Sequence, residues 1–172
     1  MNLKKIYKSD THLITILRED WLQITLLTIL SISAPLFIKS PQILVGSIVN
    51  FVLFFSAKRL GFKKTLPSIL LPSLVAYSSN ILFKGATPFL LYFLPVIFLG
   101  NSIYVLLNSY LKSNIFSVIL ASVSKSLLLY IFAFLFVNEL GLPEMFLTTM
   151  GVMQLVTATV GGVLGTVLTL EK

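Results

Sequence analysis

The sequence predicts an all-α integral membrane protein, a bundle of six transmembrane helices with the N- and C-termini in the cytoplasm. Hydrophobic residues make up 56% of the 172 residues and charged residues only 11%, whereas about a quarter of the residues in a soluble domain are charged. Several apolar runs reach or approach the ~20 residues that span a bilayer. The basic residues gather on one side of these runs, which requires an even number of spans.

We expect residues 1–20 to form a cytoplasmic or interfacial N-terminal segment. Residues 21–172 are expected to form a single six-helix membrane domain. We expect no cleavable signal peptide, because no apolar region with a small-residue cleavage site follows the N-terminal lysines. Residues 13–17 suggest a short interfacial helix. Trp21 then lies where an interfacial aromatic anchor is expected.

The six spans are predicted at 21–38, 42–57, 66–83, 88–111, 115–137 and 146–170. Lys39 and Pro41 favour a tight turn between the first two. Prolines interrupt several spans, and each break frees backbone carbonyls that a neighbour or a hydrated cavity must satisfy. The breaks therefore predict either kinks for packing or a cavity. The prolines concerned are Pro35, Pro67, Pro72 and Pro95.

The basic residues support this count of spans. If the N-terminus is inside, the outer side receives only Lys39 and Lys84, together with the acidic loop of Glu139 and Glu144. This asymmetry is the positive-inside pattern. The cytoplasmic side receives Lys4, Lys5, Lys8, Arg18, Lys58, Arg59, Lys63, Lys64, Lys112 and Lys172.

Four polar residues fall near mid-span on four different helices: Asn50, Asn101, Lys125 and Gln154. Tyr104 shares a helix face with Asn101, because residues three and four apart are neighbours on a helix. Polar side chains in lipid are costly, so we expect these faces to point inward. The five residues are the candidate substrate-binding set.

Two interpretations of this set remain open. In the first, the amides only cross-link helices, each hydrogen bond contributing about 0.6 kcal/mol, and Lys125 donates to carbonyls near Pro72 or Pro95. In the second, the residues line a pocket for a small polar solute. A lysine at a span centre costs roughly 2.5–3.5 kcal/mol, and its three donors suit an anionic or carbonyl-bearing ligand. For Lys125 we therefore favour the pocket.

Small residues repeat along the sixth span, where Thr157, Gly161 and Gly165 recur at four-residue spacing. Such spacing permits close approach of two helices. We expect it to serve packing within the chain.

The predicted spans contain no combination of residues typical of a catalytic site, so we expect no enzyme activity, no metal site and no cofactor. The spans hold no acidic residue, and the chain has no cysteine and a single histidine, His12, before the first span. These residues assemble no nucleophile–base pair and no metal cluster, and no phosphate-cradling glycine loop occurs. The net charge of +7 is explained by membrane orientation, and we expect no nucleic-acid partner.

The chain resembles a substrate-binding S component of an energy-coupling-factor (ECF) transporter, in an uncharacterised branch. The resemblance covers roughly residues 35–165. It rests on GSIVN at 46–50, LPS at 66–68, LPVI at 94–97 followed by GN at 100–101, ASVSK at 121–125, and QLVTA at 154–158 followed by GG at 161–162.

The resemblance implies a six-helix bundle in the prokaryotic plasma membrane that captures a vitamin or other micronutrient from outside. It also implies two kinds of partner, a transmembrane coupling protein and two cytoplasmic ATPases, whose ATP hydrolysis powers toppling of the bundle. Members of the family often carry Ala-x-x-x-Ala in the first helix for docking. This chain has Ser31, Ser33, Ala34 and Pro35 there instead.

A second hypothesis of a different class is a membrane scaffold such as the rod-shape protein MreD, which has a similar size and number of spans. A scaffold needs no pocket. Co-purification with cell-wall synthesis proteins would favour it over a transporter subunit.

Overall fold

The computed structural model describes residues 3–38, 41–81 and 83–170, with side chains described for 19–38, 41–81, 83 and 85–169. Within these residues helices α1 to α6 and one 3₁₀ helix follow in order, and five helical stretches are long and apolar enough to cross a membrane. This confirms the helical fold class and agrees with a multi-pass membrane protein. The elements are α1 (Leu3–Phe37), α2 (Gln42–Ser79), the 3₁₀ helix (Lys84–Phe89), α3 (Leu90–Tyr110), α4 (Ile115–Leu140), α5 (Met145–Met150) and α6 (Val152–Leu170).

The N-terminal part of the chain differs from the expectation. Helix α1 is continuous, so residues 13–17 are part of it and the predicted separate short helix is wrong. The apolar part of α1 is Glu19–Phe37. The tight turn predicted at Lys39 falls on residues outside the described ones, and so does the C-terminal Lys172.

Helix α2 is interrupted at Gly61, where φ is 74° and ψ is 176°. Only glycine adopts this conformation readily, because a Cβ atom would collide with the backbone. A straight helix would separate Asn50 from Pro72 by about 33 Å at 1.5 Å per residue, yet both residues line one cavity. The two halves of α2 therefore lie side by side.

The span predicted at 146–170 is not one continuous helix. It divides into α5 and α6 at Gly151, where φ is −92° and ψ is −99°. A Cβ atom there would lie 2.7 Å from the Leu147 carbonyl oxygen and 2.8 Å from Cδ2 of Tyr130. The break depends on a residue with no side chain at a crowded position.

The small residues of α6 pack inside the chain, as predicted. A Cβ atom at Gly161 would lie 2.5 Å from the backbone nitrogen of Phe51 in α2, and one at Gly165 would lie 2.3 Å from Cδ1 of Phe54. Glycine thus brings α6 into direct contact with the α2 backbone. This contact sets Thr157 opposite Asn50.

Helix α4 is delimited at both ends by local sequence. Asn114 accepts from the backbone N–H of Ser117, and the Ser117 side chain completes a capping box. Gly141, with φ of 65°, ends the helix in the left-handed conformation. These signals place Lys125 near the middle of α4.

Candidate functional site

A cavity lies at one end of the bundle. Three connections lie at this end: the one from α1 to α2, the one from α2 to the 3₁₀ helix, and the one from α4 to α5. Its volume is about 100 Å³, counted as space for the centre of a water molecule. A single buried water needs roughly 10–15 Å³ in this measure, so the cavity can hold several waters or a small solute. The lining is mainly apolar, and its polar side chains are Gln42, Asn50, Ser73, Asn101, Lys125, Gln154 and Thr157.

Lys125 lies on the cavity wall with only 2% of its surface exposed. Its Nζ donates to Oδ1 of Asn50 at 2.6 Å and sits 5.5 Å from the centroid of the Tyr104 ring. Within the described part of the chain it makes no second hydrogen bond. Because an ammonium has three donors, two remain for whatever occupies the cavity.

Asn50 holds the ammonium in place. Its Nδ2 donates to the Gly46 carbonyl oxygen at 2.9 Å and to Oγ1 of Thr157 at 3.2 Å. Both amide protons are therefore engaged, and the carbonyl oxygen of the side chain points at Lys125. Asn50 cross-links α2 to α4 and α6, and it also lines the cavity. The structure thus shows the helix cross-link of the first interpretation, and the solute of the second stays a prediction.

Asn101 is hydrogen-bonded to the backbone of α2. Its Nδ2 donates to the Ile69 carbonyl oxygen at 3.1 Å, three residues before Pro72, which lies inside the helix. The expectation that Lys125 would donate to carbonyls near Pro72 or Pro95 is wrong. Asn101 occupies the position near Pro72, and Pro95 is exposed on the bundle surface.

Gln154 lies on the wall, and its side-chain amide makes no hydrogen bond to another described residue. Gln42, at the start of α2, also lines the cavity and makes no side-chain hydrogen bond to another described residue; it was not predicted, because it lies at the end of a span. The signal that would have found it is its position directly after Pro41, at the turn predicted between the first two spans.

Tyr104 does not lie on the cavity wall. It is completely buried, its hydroxyl donates to the Ala158 carbonyl oxygen at 2.9 Å, and its ring faces the Lys125 ammonium from behind. A ring face near a cation is attractive. The structure thus places Tyr104 behind Lys125 and off the cavity wall, which differs from its expected position.

The opposite end of the bundle carries basic residues. Lys58 donates to the Leu111 carbonyl oxygen at 2.6 Å, and Lys64 forms an ion pair with Asp20. The break at Gly61 is also at this end. The cavity and the basic cluster are therefore separated along the helix axes.

Within the described residues no group of three or more histidines or carboxylates is placed to hold a metal ion. Comparison with protein-family models, with curated proteins and with solved structures finds no match to this chain.

Proposed function

We propose that this chain is the solute-binding subunit of an ECF-type uptake transporter for a small micronutrient, and that anionic solutes are among its ligands. The observation that carries the proposal is the Lys125 ammonium on a cavity wall with two donors free. A pure scaffold has no use for a buried cation that costs several kcal/mol to place.

The proposed topology has six spans, with the two halves of α2 counted as separate spans and both termini in the cytoplasm. In this orientation the basic end, with Lys58 and Lys64, faces the cytoplasm, as the positive-inside rule requires. The cavity then opens to the exterior, where a nutrient would be captured. The cell membrane of a prokaryote is the proposed location.

The topology can be tested by cysteine labelling, since the chain has no native cysteine. Lys63→Cys and Lys112→Cys are expected to react only after the membrane is permeabilised. Glu139→Cys and Glu144→Cys are expected to react with a membrane-impermeant maleimide in intact cells. If all four cysteines reacted from the same side of the membrane, the proposed topology of six spans with both termini in the cytoplasm would be contradicted.

The proposed partners are a transmembrane coupling protein and two cytoplasmic ATPases. The chain itself carries no phosphate-binding glycine loop, so the energy for uptake must come from partners. Of the small residues Ser31, Ser33 and Ala34 of α1, Ser31 and Ala34 are buried within the chain's own bundle and Ser33 is half-buried. A coupling protein would therefore not dock through Ser31 or Ala34.

Two measurements test this function together. Mild purification of the full chain is expected to recover ATPases and a coupling protein, and cells carrying Lys125→Met are expected to lose uptake of the solute. Recovery of cell-wall synthesis proteins instead would favour the scaffold. Full uptake by the variant would remove Lys125 from the mechanism.

A further inference from the structure

We infer that the cavity binds a monocarboxylate whose single negative charge is carried on an apolar body about the size of one ring. This inference rests on the proposed function, because it concerns the solute of the same site. It specifies the substrate class through charge, hydrogen-bond donors and volume.

The charge of the site selects the charge of the ligand. Among the described residues that line the cavity, Lys125 is the only charged one, and no carboxylate lies with it. Burying an uncompensated charge costs several kcal/mol, whereas a well-bonded opposite charge offsets that cost. A monoanion leaves the site neutral. A dicarboxylate leaves one negative charge unpaired, and the ammonium of an amino acid finds no acid.

The donors of the site suit a carboxylate group. Lys125 has two N–H groups left after its bond to Asn50, and Gln42 and Gln154 bring amide groups to the same wall. An ionised carboxylate accepts through both oxygens. Asn50 is committed to Gly46 and Thr157, so it positions the ammonium and does not compete for the ligand.

The remaining wall suits an apolar body. Val45, Ala76, Phe83, Ile97 and Met150 are among the apolar lining residues. The volume of about 100 Å³ is somewhat below the ~150 Å³ of an engineered apolar cavity that holds benzene. Met150 can adjust to the ligand, because its unbranched side chain fills irregular gaps. A short branched chain fits this volume as it stands, and a single ring fits once Met150 moves aside.

Calorimetric titration of the purified full chain in lipid nanodiscs tests the inference with five ring-sized probes: benzoate, benzamide, phthalate, phenylalanine and benzylammonium. Benzoate is expected to bind at least about tenfold more tightly than benzamide, since a hydrogen bond to a charged group contributes roughly 1.5–3 kcal/mol and 1.4 kcal/mol is tenfold. Phthalate, phenylalanine and benzylammonium are expected to bind more weakly than benzoate.

Two variants assign the preference to the site. Lys125→Met is expected to bind benzoate and benzamide equally. It should fold, because removing the cost of burying an ammonium offsets the cost of leaving the Asn50 carbonyl oxygen without its donor. Lys112→Met removes an exposed lysine from the opposite end and is expected to keep the preference.

Three results with the native chain would overturn the inference. The first is benzamide or benzylammonium binding as tightly as benzoate, the second is phthalate or phenylalanine binding at least as tightly as benzoate, and the third is no binding by any probe. In each of these cases the proposed function is judged separately, by ATPase co-purification and by loss of uptake in Lys125→Met. A preference retained in Lys125→Met would show that the charge selection lies elsewhere, and it would also overturn the inference.

Discussion

Replacing Gly161 by alanine tests whether the contact between α6 and α2 determines the geometry of the cavity. The added Cβ would lie 2.5 Å from the Phe51 backbone nitrogen and 2.7 Å from the Ser47 carbonyl oxygen. These are backbone atoms, which cannot rotate away as the end of a flexible side chain can. Reaching the 3.4 Å of an ordinary contact requires the two helices to separate by about 0.9 Å at this point.

Such a separation has two measurable consequences. Overpacking of this kind costs about 1–3 kcal/mol, equivalent to a fall of roughly 2–12 °C in Tm for a chain of this length. The Asn50–Thr157 bond, already 3.2 Å long, would be stretched, so the acceptor that holds Lys125 would lose its own support. We therefore expect both a lower Tm and weaker benzoate binding.

Circular dichroism during heating and calorimetric titration measure the two effects. Gly85→Ala is the matched control, because a Cβ atom there meets nothing within 4 Å, and it should leave both values unchanged. A Gly161→Ala protein with the Tm and benzoate affinity of the native chain would refute the reasoning, since the helices would then have room that the contact distances deny.

Three further substitutions separate stability from binding. Tyr104→Phe removes the bond to the Ala158 carbonyl but keeps the ring behind the ammonium, so we expect a loss of about 0.5–1.5 kcal/mol in the free energy of unfolding and a benzoate Kd within about twofold; a much weaker Kd would indicate that Tyr104 contacts the ligand. Gly61→Ala forces a side chain into a conformation that only glycine adopts readily, and a loss of about 1–3 kcal/mol is expected in chemical denaturation, where an unchanged midpoint would contradict the break in α2. Asn101→Leu removes the bond to the Ile69 carbonyl oxygen, and a loss of about 0.5–1.5 kcal/mol in the free energy of unfolding is expected; a variant as stable as the native chain would mean that this bond contributes nothing.

The local sequence predicted well wherever one segment determines its own structure. Apolar length identified the helices, so that the span predicted at 115–137 is found as Ile115–Leu140, and the spacing of Gly161 and Gly165 indicated close packing. A wrong prediction concerns a break within a helix. Gly151 lies inside an apolar run that reads as one span, and only its crowding by Tyr130 from α4 shows why the helix divides there.

The sequence by itself determined which residues are too polar to face lipid, because the cost of transferring an amide or an ammonium into hydrocarbon belongs to the side chain alone. It therefore identified Asn50, Asn101, Lys125 and Gln154 without any structure. Only the tertiary structure decided what each does. Hydrogen-bond partners come from helices far apart in the chain, so the pairing of Lys125 with Asn50 and the position of Tyr104 behind the wall depend on how the helices pack.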